Sequence, residues 1–191
     1  LDVGCGESPY RLWLNRDVQY LGIDVGGTAD IRIEPGDRWP LEDQSVDCVL
    51  CTQVLEHVKD LEHVMAEMFR VLRPGGMIVV SVPFAYNEHG VPHDYRRVSV
   101  NGLRALMTRD YELLELEPQG GIGSTCGIFL LNWVDASFNI ARPFRILKGL
   151  LMPAWIAFSL FVNLICLLVD RLDITGGFYS NVFAVGRKPC A

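Results

Sequence analysis

Residues 1–6, LDVGCG, and residues 20–25, YLGIDV, decide how this chain is read. Leu1, Asp2 and Val3 form a short apolar strand broken by Gly4, Cys5 and Gly6, after which Ser8 and Pro9 supply a helix N-cap and a first-turn proline. Strand, glycine turn, helix is the predicted order. Glycines in such a turn let a ligand approach backbone that side chains would otherwise block. The second strand ends in Asp24, about 20 residues beyond the turn, where a carboxylate can accept both hydroxyls of an adenosine ribose. Its alternative is a solvated acid at a strand end. Asp2 lies inside an apolar segment, so it needs a hydrogen-bonded job, such as orienting the turn or a ligand ammonium.

Working outward, residues 46–52 (VDCVLCT) form another apolar run, bounded by the polar Glu42, Asp43 and Gln44, and predict a further strand. Over residues 54–72 the side chains Leu55, Val58, Leu61, Met65, Met68 and Leu72 recur at three and four, which predicts an amphipathic helix ended by Pro74-Gly75-Gly76. Residues 77–82 (MIVVSV) follow as a buried strand, 101–109 as a short helix, 111–117 as an alternating strand and 178–186 (FYSNVFAVG) as the last strand. Strands alternating with helices, with apolar interiors, indicate an α/β doubly wound, mostly parallel sheet covered on both faces. No internal repeat interrupts this plan, and the length fits one domain over residues 1–191. The chain opens inside a strand, so residues that close over a ligand cleft are expected upstream of Leu1.

Half of the residues are apolar, enough for a sizeable core, and 17 basic against 23 acidic residues give a formal charge of -6. Such a balance repels a phosphate backbone, so nucleic acid is not an expected partner. Cys48 and Cys51 form a C-x-x-C on a strand, where residues three apart point to opposite faces. They read as small buried hydrophobes rather than a metal or disulfide pair, no metal is expected, and the cysteine usage suits a reducing cytoplasm.

A dinucleotide fingerprint would need glycine or alanine at position 9, where this chain has Pro9, so a nicotinamide cofactor is the less favoured ligand. The successive stretches LDVGCG, YLGIDV, WPLEDQSVDCVLCTQVLEHV and RVLRPGGMIVVSVPF resemble, in order and spacing, the motifs of class I methyltransferases, and most of all the type 11 group similar to quinone-biosynthesis C-methyltransferases and to enzymes of polysaccharide clusters. The resemblance covers residues 1 to about 111. It implies S-adenosylmethionine as cofactor, with Asp2, Gly4, Cys5 and Gly6 at the methionine end, Asp24 on the ribose, Thr52 and Gln53 flanking the sulfonium side, and an antiparallel last strand. Ser8 stands where the family often has a third glycine. Glu34 and Asp37 both lie near the register of the acid that contacts adenine, with Pro35 in the expected slot, and the choice between them stays open. Glu56 and His57 resemble a family signature but also suit a purely structural role.

In open α/β sheets the ligand lies beyond the carboxyl ends of the strands, so the loop over residues 83–97 (PFAYNEHGVPHDYRR) is expected to border the transferred methyl group. His93, His89, Asp94 and Tyr95 are its candidate catalytic residues, with His93 and Asp94 as base and orienter or as substrate ligands. Residues 120–175 form an apolar helical insert between the last two strands, and 149–169 carry no charge, long enough to pass the threshold of about 18 for a membrane span. One crossing would separate two paired strands. The predicted arrangement is therefore a hairpin in the membrane interface, with Arg142, Arg145 and Lys148 at anionic headgroups. A homodimer interface or a lid over a lipid-like acceptor are its alternatives. The expected activity is methyl transfer to oxygen or carbon of a small or lipid-linked acceptor of glycan, polyprenyl or quinone type, in the cytoplasm or peripherally at the inner face of the membrane. A catalytically silent adenosyl-binding or scaffolding protein is the competing reading.

Overall fold

The computed structural model describes residues 1–190. Among them, β1 (Asp2–Val3), β2 (Gly22–Asp24), β3 (Ile31–Arg32), β4 (Val46–Thr52), β5 (Leu72–Pro83), β6 (Glu112–Gln119) and β7 (Asn181–Arg187) form one sheet in the order β3-β2-β1-β4-β5-β7-β6. β1 runs parallel to β2 and to β4, β2 to β3, and β4 to β5. One strand is antiparallel, as the resemblance implies. The strand order reverses beside β1, between β2 and β4, and ligands of open α/β sheets sit outside the carboxyl ends of strands at such a point.

The helices are α1 (Leu61–Val71), α2 (Val100–Met107), α3 (Ile122–Asn139), α4 (Arg142–Leu150) and α5 (Met152–Leu172). The chain packs as two compact units. The first holds Leu1–Pro83, Gly90–Glu117 and the residues from Val182 onward, and the second holds Phe84–His89 and Pro118–Asn181. In the first unit, Val49 and Cys51 of β4 and Ile78, Val80 and Val82 of β5 are fully buried. Met68 and Val71 of α1 and Leu103 and Met107 of α2 are buried with them, while Leu50 and Val79, on the other face of the same strands, are half-buried.

Several expectations need correction. The helix predicted from residue 54 begins at Leu61, where Asp60 accepts the N–H of His63 at 3.1 Å as its N-cap. Residues 54–60 instead make turns, in which the apolar Leu55 is buried without being helical. The helix expected after Ser8 is a single 3-10 turn, Pro9–Leu12. Ser8 adopts a left-handed φ of 56° and makes no capping bond, and the next residues, Leu12 and Trp13, are exposed, so no apolar face is available to pack a longer helix. Pro74-Gly75-Gly76 does not divide helix from strand. α1 has already ended at Val71, and the triplet lies in an irregular stretch of β5. There Gly75, at φ 75°, donates to the Lys188 carbonyl at 2.9 Å. Cys51 is buried, but Cys48, three residues earlier and on the opposite face of β4, is exposed.

Arg70 fixes the segment that leads into β4. It donates to both oxygens of Glu67 and to the carbonyls of Trp39 and Leu41, while Glu67 accepts the Trp39 N–H at 2.7 Å. The guanidinium holds the Glu67 carboxyl below the usual carboxylate range. At the far edge, the buried Lys188 ammonium donates to the Phe69 and Leu72 carbonyls at 2.6 and 2.7 Å and closes the carboxyl end of α1.

In the second unit, α3 and α5 approach closely because glycines remove the obstacles. A Cβ at Gly123 would run into the Cys166 carbonyl, and one at Gly127 would lie 2.5 Å from the Cys166 Sγ. Asp170 accepts the Ser124 N–H at 3.0 Å, and Asp173 accepts that of Ile122 at 3.3 Å, so two acids at the end of α5 face the positive end of the α3 dipole. Lys148 of α4 pairs with Asp135 of α3.

Candidate cofactor and acceptor site

β1 ends at Val3 and the chain turns at once, with the Gly4 N–H donating to the Ile23 carbonyl at 2.8 Å. Gly4 and Gly6 have φ of 68° and 52°, a region that favours glycine. They answer different needs. A Cβ at Gly4 would collide with Val54, whereas one at Gly6 would meet nothing within 4 Å, so Gly6 presents an open backbone edge.

Asp24, at the carboxyl end of β2, accepts the Gly6 N–H at 2.8 Å and the Gly26 N–H at 3.1 Å. An ionised carboxylate offers roughly four lone-pair directions, and two serve these amides. The remaining two match the two hydroxyls of a ribose diol. Gly27 completes this corner: at φ 65° its Cβ would lie 2.9 Å from the Gly6 carbonyl. Sequence reasoning did not single it out, although the pair Gly26-Gly27 directly after the acid was the available signal.

Cys5 is buried behind the turn, its Sγ 2.7 Å from where a Cβ on Gly22 would stand, and burial pushes its thiol up. It is packing at the back of the site. Asp2 is buried and accepts the Tyr20 hydroxyl; burial pushes the Asp2 carboxyl up, and the Tyr20 hydroxyl is pushed up to about 12. This bond ties β1 to the approach of β2. Asp30 adds a third tie by accepting the Gly22 N–H at 2.8 Å and pairing with Arg11, which holds its carboxyl below the usual range.

Thr52 and Gln53 leave β4 beside this turn. The Thr52 Oγ1 lies 3.1 Å from the Tyr10 hydroxyl. Gln53 has a left-handed φ of 55°, and its side-chain amide donates to the Ser81 Oγ at 3.1 Å. Glu34 and Asp37 share one tight turn around Pro35 and Gly36, closed by the Asp37 N–H on the Glu34 carbonyl at 3.1 Å.

The loop after β5 is stitched to the turns after β4. The Tyr95 N–H donates to the Glu56 carbonyl at 2.8 Å, and the His57 Nδ1 lies 2.5 Å from the His93 carbonyl. These contacts give Glu56 and His57 a structural part. His93 is exposed, and its Nδ1 is 2.9 Å from the Tyr95 hydroxyl. Asp94, foreseen as the orienter of His93, engages Arg97 in a bidentate pair at 2.5 and 2.7 Å. His89 falls in the second unit, where its ring meets Tyr86 edge-on with centroids 5.2 Å apart.

Arg96 was missed by the sequence reading. Its guanidinium donates to the carbonyls of Leu55 at 2.7 Å, Lys59 at 3.2 Å and Val58, so one side chain satisfies the non-helical stretch before α1. Replacing Arg96 with alanine orphans these acceptors and is expected to cost about 3 kcal/mol, lowering the thermal midpoint by roughly 6–12 °C in a circular-dichroism melt. Arg96→Lys should recover part of the loss. A midpoint unchanged in the alanine variant would show that the clamp contributes nothing.

Comparison with known proteins agrees with this geometry. Residues 1–80 match the family model of a methyltransferase domain. The chain is 40% identical over 96 residues to a probable S-adenosylmethionine-dependent methyltransferase of Mycolicibacterium smegmatis, a match covering 44% of this chain and 37% of that one. It spans less than half the length of the curated relatives it matches. Among solved structures, a putative sarcosine dimethylglycine methyltransferase from Galdieria sulphuraria superposes with a TM-score of 0.60 at 17% identity, covering 98% of this chain and 77% of that one. The [4+2]-cyclase SpnF gives a TM-score of 0.60 at 19% identity, with 100% and 75% covered. The fold is that of class I methyltransferases. The match to the methyltransferase-domain model covers residues 1–80, and the likeness to the solved structures is one of fold.

Proposed function

We propose that this chain transfers a methyl group from S-adenosylmethionine to oxygen or carbon of a small or lipid-linked acceptor of glycan, polyprenyl or quinone type. The observation that carries the reading is the Asp24 carboxylate, anchored by the Gly6 and Gly26 amides with acceptor capacity left for a ribose diol. Bound S-adenosylmethionine supplies a methyl group already activated on a sulfonium. The protein has only to align the acceptor and, for a hydroxyl or acidic carbon, to take its proton. In this reading Asp24 holds the ribose, the Gly4-Cys5-Gly6 turn braced by Asp2 receives the methionine end, and Thr52 and Gln53 border the sulfonium.

His93 is the general base. The His93 Nδ1 lies 2.9 Å from the Tyr95 hydroxyl, and in the tautomer that carries the proton on Nδ1 the lone pair on Nε2 accepts a proton. Asp94, bound to Arg97, steadies the loop, and His89 is the second candidate base. The exposed apolar surface of α5 favours the lipid-linked end of the acceptor range and peripheral attachment at the inner face of the membrane, with a homodimer through the same helices as the alternative.

One comparison favours a second reading. The [4+2]-cyclase SpnF shares this fold over the whole chain, so the fold alone does not require methyl transfer. A nicotinamide enzyme is disfavoured, because Pro9–Leu12 makes one 3-10 turn and not the helix N-terminus that a pyrophosphate requires. The test is incubation with methyl-labelled S-adenosylmethionine and cell extract, followed by partition between organic and aqueous phases. Label in the organic phase with matching release of S-adenosylhomocysteine is expected. Donor binding without any such release would select the silent protein.

A further inference from the structure

We infer that α4 and α5 form a docking surface for an anionic lipid bilayer, entering one leaflet without crossing it. This deepens the peripheral attachment proposed above but does not depend on methyl transfer.

α5 is 21 residues long, and its most apolar 18-residue window has a mean hydropathy of 2.2 and is 6% buried. Only the stripe through Val162 and Cys166 faces α3. Ile156, Leu160 and Leu164 on one flank and Phe161, Leu168 and Leu172 on the other are all more than half exposed. With the exposed Ile165 and Phe158 beside them, and at about 100° per residue, these side chains span roughly 200° of the circumference. A flat protein partner covers one side of a helix, whereas a fluid hydrocarbon phase covers both flanks at once.

α4 supplies the charge. Every residue from Pro143 to Leu147 is exposed, with Phe144, Ile146, Leu147 and Leu150 on one side and Arg142, Arg145 and Lys148 on the other. Residues 142–169 contain three cations and no acid; Lys148 is paired with Asp135 of α3, so Arg142 and Arg145 are the exposed basic pair, in a chain whose formal charge is -6. A short basic amphipathic helix joined to a predominantly apolar one matches the boundary between anionic headgroups and acyl chains.

The charges also fix the depth. Lys148 stands before α5, and Asp170, Arg171 and Asp173 stand at its end. α5 is the single described helix long and apolar enough to span, and the chain leaves from β6 and returns to β7 in one sheet. Both ends of α5 therefore stay at the same headgroup level, and the helix lies in the plane of the membrane. The glycine-mediated contact with α3 and the caps by Asp170 and Asp173 assemble the hairpin before it meets lipid.

The test is flotation of the full chain with vesicles of phosphatidylcholine alone and of phosphatidylcholine mixed equally with phosphatidylglycerol. The chain is expected to float with the mixed vesicles and far less with the neutral ones, in a salt-dependent manner. Arg142→Glu with Arg145→Glu should weaken partition at least tenfold. Leu164→Glu with Leu168→Glu should do the same, and both pairs alter exposed side chains, so a thermal melt should be unchanged. A chain that stays in the soluble fraction with both vesicles overturns the inference, as does equal binding to the two. A stable dimer that does not float, and that the Leu164→Glu/Leu168→Glu variant breaks, would assign the surface to a second copy instead. Loss of methyl transfer with normal flotation would overturn the catalytic reading alone.

Discussion

Asp24→Ala is expected to weaken S-adenosylmethionine binding at least a hundredfold in a calorimetric titration. The carboxylate already accepts two backbone amides, so it is held in one orientation before any ligand arrives, and little ordering cost remains. Two hydrogen bonds from a diol to an ionised acceptor contribute about 1.5–3 kcal/mol each, and every 1.4 kcal/mol or so is a factor of ten in affinity. The alanine variant also frees the Gly6 and Gly26 amides and loosens the turn, which adds to the loss. Asp24→Asn keeps one acceptor oxygen in the same place and should fall between the two. An alanine variant that binds within about threefold of the parent would remove Asp24 from the cofactor site.

His93→Ala should lower turnover by about a hundredfold to ten-thousandfold, the usual contribution of a positioned general base, while donor affinity changes less than about twofold. The ring sits on a loop tied to the turns after β4 by backbone bonds, the Tyr95 amide on the Glu56 carbonyl and the His57 ring on the His93 carbonyl. Removing the imidazole leaves those backbone contacts in place. Tyr95→Phe removes only the partner of Nδ1 and should cost about tenfold in kcat, with KM for the donor unmoved. If His93→Ala turns over its acceptor at the parental rate, the base must be sought elsewhere, and His89→Ala is the next variant.

The parts of this fold that were legible in the sequence are those where one physical signal acts alone. β4 was bounded correctly at Val46–Thr52 because an apolar run meets polar residues on its leading side. The glycine turn and Asp24 were found because positive φ and a strand-end acid leave few substitutes. Where two signals compete, the reading failed. Leu55 and Val58 have helical spacing, but their segment is held in turns by Arg96, a tertiary clamp from forty residues away that no local pattern reveals. Ser8-Pro9 carries a helix-start signal that the left-handed Ser8 backbone defeats. Asp94 sits next to His93 in sequence, yet it is Arg97, three residues on, that its carboxylate engages. The contact of α3 with α5 was hidden for another reason. Gly123 and Gly127 look like weak points in a helix until the facing Cys166 backbone is in view.

The glycine turn and Asp24 are the proposed site of the adenosyl cofactor. Its most direct test is a calorimetric titration of the folded chain with S-adenosylmethionine, with reduced nicotinamide dinucleotide as the competing ligand. Saturable binding of one S-adenosylmethionine per chain, reversed by S-adenosylhomocysteine and absent for the dinucleotide, is the predicted result; no heat with S-adenosylmethionine, or tight binding of the dinucleotide in its place, would contradict it.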